Sequence, residues 1–289
     1  MTIQFTPLSD FIGAEITGVD LSRPVDADTY GRIRRIWLDH NFVLFRGQQA
    51  ITPDDHMALS RLFGTLDHHT TTSKWNLPDH QVIAVVSNVK VKGEHIGAPK
   101  SGRSWHSDGQ YTKYPCSASV LVAREVPLEK GDTLFVNMYQ VYAAIPAETR
   151  HRIQSLEVVH SRVKAWPISY PDRPMLTQEE QAKLPEEIHP LVRTHPETGR
   201  HALYCGGNVG WEIVGMPFEE GHALLKELRD FATQPRFVYA QKWKVGDVVL
   251  WDNRCTFHCA TPFDEDKYRR VMHRIHISGD KPFFAPDGP

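Results

Sequence analysis

The sequence predicts an α+β fold, mainly β: a double-stranded β-helix (jelly-roll) core with flanking α-helices. Three observations predict it. Strand-like apolar runs crowd the middle and end of the chain, at 119–126, 133–136, 237–243, 247–251 and 271–278. Turns and long excursions separate them, as in antiparallel sandwiches. The regular βαβ alternation of a doubly wound parallel sheet is absent.

Taken in order, Gly13 to Val19 reads as a short strand pair around glycines. The segment Asp28 to His40 places Tyr30, Ile33, Ile36 and Trp37 at helical spacing, with Asp26 or Asp28 available as the cap. Phe42-Val43-Leu44-Phe45 reads as a buried strand. Thr52-Pro53-Asp54-Asp55 starts a helix, with a capping hydroxyl, a first-turn proline and two acids at the positive end of the dipole; Phe63-Gly64 ends it. From about Thr65 to Ser104 the pattern weakens, apart from Val82 to Val86, and glycines, prolines and lysines collect around Lys90 to Gly102. This predicts a mobile loop, with an active-site lid at about 67–104. Helices are expected at about Tyr139 to Ser155 and Phe218 to Phe231.

No repeat, low-complexity tract or linker divides the 289 residues, so one domain, 1–289, is expected. The 33 Lys and Arg balance 35 Asp and Glu, and a net charge of −2 offers no basic field to nucleic acid or anionic lipid. No apolar run approaches the roughly 20 residues of a membrane span, and Met1-Thr2-Ile3-Gln4-Phe5 lacks the basic segment followed by an apolar run that a secretory leader shows. A cytoplasmic homo-oligomer acting on a small molecule is the resulting expectation. Four cysteines, at 116, 205, 255 and 259, are too few and too unevenly spread for a disulfide framework, so reduced thiols are expected.

Sixteen histidines direct attention to metal-ligand spacings. In Trp105-His106-Ser107-Asp108 an imidazole and a carboxylate stand two positions apart, which on an extended strand sends both to one face. His258, just after the strand-like run ending at Trp251, can supply a third ligand. Two imidazoles and a carboxylate form the triad that leaves three positions open on a non-haem iron. Farther on, Arg270, Arg274 and His276 share one parity on a predicted strand, as a surface that binds an anionic ligand would require; a solvent-exposed edge strand would look the same. Cys255 and Cys259 flank His258 but have opposite parity, so they are read as buried thiols rather than zinc ligands. Tyr111, three positions past Asp108, is assigned to the substrate pocket; Tyr114 and Trp251 are assigned to the core.

His106-Ser107-Asp108, Gly131-Asp132-Thr133, Trp251-Asp252-Asn253-Arg254 with His258, and Arg269-Arg270 with Arg274 occur in one order. Together they resemble the taurine dioxygenase and 2,4-dichlorophenoxyacetate dioxygenase family of Fe(II)/2-oxoglutarate enzymes. The resemblance runs from Gly13-Ala14-Glu15-Ile16-Thr17-Gly18-Val19-Asp20 to Gly279-Asp280-Lys281-Pro282-Phe283. It implies that His106, Asp108 and His258 bind Fe(II), that Thr133 and Arg270 hold the distal carboxylate of 2-oxoglutarate, and that O2 is the oxidant. Arg274 is implied near the primary substrate or the proximal carboxylate. His69, with His68 as the alternative, matches a histidine directed at the substrate anion. The implied reaction hydroxylates a C–H bond of a small anionic substrate and gives succinate and CO2. Two other readings stay open: a zinc hydrolase using the same three ligands, and a non-catalytic metal-binding jelly-roll protein.

Overall fold

A computed structural model of the chain describes residues 3–67 and 74–286. Its frame is two β-sheets. The larger has eight strands in the order Gln4–Pro7, Ala14–Thr17, Phe42–Phe45, Val248–Asp252, Ala118–Glu125, Val271–Ile277, His80–Ser87 and Asn76–Leu77. Every pairing in it is antiparallel except that of Ala14–Thr17 with Phe42–Phe45. The smaller sheet sets Thr133–Asn137 between Val238–Gln241 and Thr256–Ala260.

The strand composition follows from which faces are covered. Phe42 and Leu44 turn inward and pack with Val249, Trp251, Leu121 and Met272 around Phe135 of the smaller sheet. Their neighbours Val43 and Phe45 turn outward, with Val248, Leu250, Val120 and Val122, against Ile33, Ile36, Trp37 and Leu59 of the first two helices. A strand buried on both faces has no polar position, which is why 42–45 reads as a continuous apolar run. The same alternation aims Ser119, Arg274 and His276 inward, because they share parity with Leu121 and Met272. A third core, under Met138–Ala144 and Phe218–Ala232, covers the far end of the molecule.

The first two helices form as their ends dictate. Ala27–His40 begins where the Asp26 side chain accepts from Thr29 N–H and stops at Asn41 in the left-handed conformation (φ 64°). Pro53–Arg61 carries a complete capping box between Thr52 and Asp55. The helix expected at 139–155 is instead two, Met138–Ala144 and Ala147–Ile153. Pro146 forbids the helical conformation to Ile145, which is extended at ψ 136°. The glycine-bounded segment 13–19 supplies one strand rather than a pair, and its partner lies upstream at Gln4–Pro7. Part of the span 67–104 expected to be a mobile lid is framework: His80–Ser87 is an internal strand of the large sheet. The Ile96 and Ala98 N–H groups then tie the returning chain to the Val89 and Val85 carbonyls. Among the described residues no helix is long and apolar enough to cross a membrane.

Three fully buried histidines make stability depend on pH. Burial pushes His56 and His160 down to about 3 and His189 to about 4, so all are neutral in the folded protein. In the unfolded chain each titrates near ~6.5. Between these values the unfolded state binds protons that the folded state does not, so stability falls on acidification. The slope is about 1.4 kcal/mol per pH unit per histidine. Urea midpoints measured from pH 7 to 4 should show this loss, and His56→Gln should make it shallower. A midpoint indifferent to pH in that window would contradict the account.

Candidate metal centre

His106 and His258 meet across an isolated antiparallel bridge in which each backbone N–H donates to the other's carbonyl, at 3.0 and 2.8 Å. Their ring centroids lie 4.1 Å apart. His258 belongs to the strand Thr256–Ala260, whereas His106 lies outside any strand, so the expectation of an extended strand through 105–108 is corrected. Asp108 already sits in the turn that Gly109 closes with φ 75°. The bridge, not alternation along one strand, brings the two imidazoles together, and Asn253 Oδ1, accepting from Asp108 N–H at 3.2 Å, helps hold the turn that carries the third side chain. Their ligand atoms all lie within 4.8 Å of one another, and among the described residues this is the single such group of three or more His, Cys, Asp or Glu.

Each member is held from behind. The Ser104 carbonyl accepts from His106 Nδ1 at 2.7 Å, which keeps the proton of a neutral ring on Nδ1 and turns a bare Nε2 inward. Ser119 Oγ donates to Asp108 Oδ2 at 2.7 Å and accepts from Asn253 Nδ2 at 2.8 Å. Asn253 Oδ1 in turn accepts from Trp251 Nε1 at 2.9 Å. The turn that leads into the His258 strand is clamped by Arg254, which meets Asp252 with two bonds of 2.9 and 2.7 Å, and by His195 Nε2 at 3.0 Å from the same carboxylate.

Four basic side chains surround the Asp108 carboxylate. Around Oδ1 stand His276 Nε2 at 3.4 Å, Arg274 Nη1 at 3.6 Å and His106 Nε2 at 3.6 Å; His258 Nε2 is 3.7 Å from Oδ2. Burial opposes ionisation of Asp108, but its basic neighbours, His276 first and then His258 and Arg274, outweigh it and hold the carboxyl well below its usual range. Burial, reinforced by His106 and opposed by Asp108, pushes His258 well below the ordinary imidazole value. An ionised carboxylate beside a neutral imidazole is the protonation state a metal requires of its ligands.

Arg274 and Tyr111 line the pocket in front of this cluster, together with Arg162, Tyr170 and His276. Arg270 is 7 % exposed and lines an adjoining pocket with Ser87, Ala260 and Thr261. Its Nε is buried without a hydrogen-bond partner, and burial, with the nearby Arg103 charge, pushes its pKa down to about 10. Arg269 points outward and pairs with Glu125 at 2.7 and 3.0 Å. Thr133 stands opposite Ala260 in the smaller sheet, and its Oγ accepts from Trp243 Nε1 at 3.0 Å, which leaves its own hydrogen to donate. His68 and His69 lie outside the described residues.

The four cysteines are free thiols, and Cys259 donates to the Arg103 carbonyl on the side away from His258. Trp251 is buried as expected, but Tyr114 is 56 % exposed, in the turn after Gly109, with the Lys113 ammonium 5.6 Å from its ring centre. Sequence reasoning attached no role to two residues of the site, Ser119 and Arg162. Ser119 reads as one more position in an apolar strand. His276 was legible from its parity with Arg274. Arg162 lies in the helix Arg162–Ser169, which no sequence expectation covered.

A family model described as "Taurine catabolism dioxygenase TauD, TfdA family" matches residues 4–276. The α-ketoglutarate-dependent 2,4-dichlorophenoxyacetate dioxygenase of Cupriavidus pinatubonensis is 30% identical over 296 residues, covering 97% of this chain and 99% of its own. The (S)-phenoxypropionate/α-ketoglutarate dioxygenase of Sphingobium herbicidovorans is 31% identical, covering 95% of this chain and 94% of its own. Among solved structures, AAD-2 in complex with Mn(II) and N-oxalylglycine superposes with a TM-score of 0.82 at 30% identity, covering 98% of this chain and 99% of its own.

Proposed function

Because the chain belongs to the taurine catabolism dioxygenase TauD/TfdA family, we propose that His106, Asp108 and His258 hold its iron and that Thr133 and Arg270 hold the far carboxylate of 2-oxoglutarate. Membership makes it a dioxygenase dependent on 2-oxoglutarate, with O2 as the oxidant. The observation that carries the residue assignment is the donor set: two imidazoles and a buried carboxylate with ligand atoms within 4.8 Å. That set fits Fe(II) and leaves three positions for a chelating keto acid and oxygen. The orphaned Arg270 Nε fits an incoming carboxylate. When bound, iron and 2-oxoglutarate supply the oxidising chemistry, dividing O2 between succinate, formed with CO2, and a hydroxylated substrate carbon.

The chain's own residues orient and neutralise. Ser104 fixes the tautomer of His106, and Ser119 with Asn253 aims the Asp108 carboxylate. His276 and Arg274 keep that carboxylate ionised. Arg274 also faces the pocket, as does Tyr111, and its cationic wall favours a small organic acid of carboxylate, sulfonate or aryloxy acid type. The phenoxy acids in the names of the relatives above are of that type. A zinc hydrolase or a non-catalytic metal-binding jelly roll would leave Thr133 and Arg270 without a task.

Anaerobic protein mixed with Fe(II) and 2-oxoglutarate should develop a weak visible charge-transfer band. In air it should form succinate faster when a suitable acid from a panel of aryloxy acids, sulfonates, phosphonates and amino acids is added. Absence of the band and of succinate with every member would overturn the assignment.

A further inference from the structure

We propose that Arg162, caged among the rings of Tyr111, Trp166 and Tyr170, binds the anionic group of the organic substrate. The proposal rests on the dioxygenase reading above and goes beyond it by placing the anion at a second arginine. Arg162 is the first residue of the helix Arg162–Ser169, which lies in the pocket wall that also carries Ser169, Tyr170 and Asn208. That wall is built: Ser161 caps the helix and donates its own N–H to the Val209 carbonyl at 2.8 Å, and Asn208 Nδ2 donates to Ser169 Oγ at 2.7 Å.

Three rings surround the guanidinium, with Tyr111 at 4.7 Å, Tyr170 at 5.2 Å and Trp166 at 5.5 Å from ring centre to Cζ. Arg173 stacks on Tyr170 at 4.0 Å and fixes that ring. Aromatic faces hold a guanidinium by its plane and leave its N–H edge free for a planar acceptor. Arg162 uses one donor, Nη2, on the Tyr170 hydroxyl at 3.2 Å, and it forms no ion pair among the described residues. Arg274, on the same pocket, lies 3.6 Å from the Asp108 carboxylate and shares its charge there. Arg103, also on this pocket, pairs with Glu265, so among the described residues Arg162 is the arginine of this pocket with no carboxylate partner, and a carboxylate or sulfate matches its fork. Arg270 lines the adjoining pocket and not this one, so substrate anion and 2-oxoglutarate are held by different arginines.

The test uses full-length enzyme with Fe(II), 2-oxoglutarate and two probes, phenoxyacetate and hexyl sulfate, set against the neutral compounds methyl phenoxyacetate and hexanol. At least one acid should accelerate succinate formation more than its neutral counterpart. In Arg162→Gln the KM for that acid should rise ~30-fold or more, and the preference for acid over neutral compound should collapse. The KM for 2-oxoglutarate and the Fe(II)/2-oxoglutarate absorption band should stay as in the wild type. That band tests the dioxygenase reading separately. Arg162→Lys, which keeps the charge and loses the fork, should fall between the two; it also serves if the glutamine variant does not fold. An unchanged KM and acid preference in the folded variants would overturn the proposal, as would failure of both acids to accelerate the wild-type enzyme.

Discussion

Asp108→Ala should abolish turnover while leaving a folded protein that no longer retains Fe(II). The side chain lies at the mouth of the sandwich and fills no part of its apolar cores, so removing it opens no large cavity. Its loss is electrostatic. The carboxylate is the counter-charge for Arg274 and His276, and one of three groups whose ligand atoms converge within 4.8 Å. Without it the remaining imidazoles share their space with an uncompensated guanidinium, which repels a divalent cation. Groups that act as a unit lose about 10⁴-fold or more when one is removed. Succinate formation at saturating 2-oxoglutarate, metal content after reconstitution and a circular dichroism melt together check the result. Asp108→Asn keeps the shape and the Ser119 contact, so its failure as well would place the effect on charge. Appreciable turnover by either reconstituted variant would remove Asp108 from the proposed ligand set.

Much of this site was legible because its chemistry is local in sequence. His106 and Asp108 stand two apart, and the shared parity of 274 and 276 survives on the inward face of the strand Val271–Ile277, whereas Arg270 precedes that strand and the bulge between Val271 and Met272. What sequence could not supply was the geometry that joins distant segments. The reciprocal bonds between His106 and His258 pair backbone groups separated by 152 residues, and no side-chain pattern announces a two-residue bridge. Asp108 lies in a turn, and its place beside His106 comes from contacts with the distant residues Asn253 and Ser119 rather than from strand alternation. Ser119 was hidden for a related reason. Its neighbours Ala118 and Val120 face the helices, and only the sheet-on-sheet stacking makes the opposite parity an active-site wall. The helix boundary at Ile145 was readable from Pro146 alone. The strand role of His80–Ser87 was partly obscured because the loop-like composition that follows it suggested a lid.

Arg270→Met should do two opposite things: raise the thermal stability of the ligand-free protein and nearly eliminate 2-oxoglutarate binding. In the folded chain the Arg270 guanidinium is buried, its Nε has no partner, and it forms no ion pair among the described residues. Its pKa, held down to about 10 chiefly by burial, reports the same unfavourable environment. An unpaired buried charge is among the most destabilising features a fold can contain, and an apolar side chain of similar length relieves it. Each kcal/mol so recovered raises the melting temperature on the order of 2 °C. Binding moves the other way. Truncating one partner of a buried carboxylate contact typically costs ~2–5 kcal/mol, a loss in affinity of roughly 30- to 5,000-fold. The wild type should therefore melt higher when 2-oxoglutarate is added, by the ordinary linkage of ligand binding to folding, and the variant should not. Arg269 offers no substitute, since both its contacts go to Glu125 at the surface. If Arg270→Met keeps the 2-oxoglutarate-induced shift, the far carboxylate is bound elsewhere. If it lowers the ligand-free melting temperature instead, the guanidinium serves the fold, and the strand bearing Arg274 and His276 is what it supports.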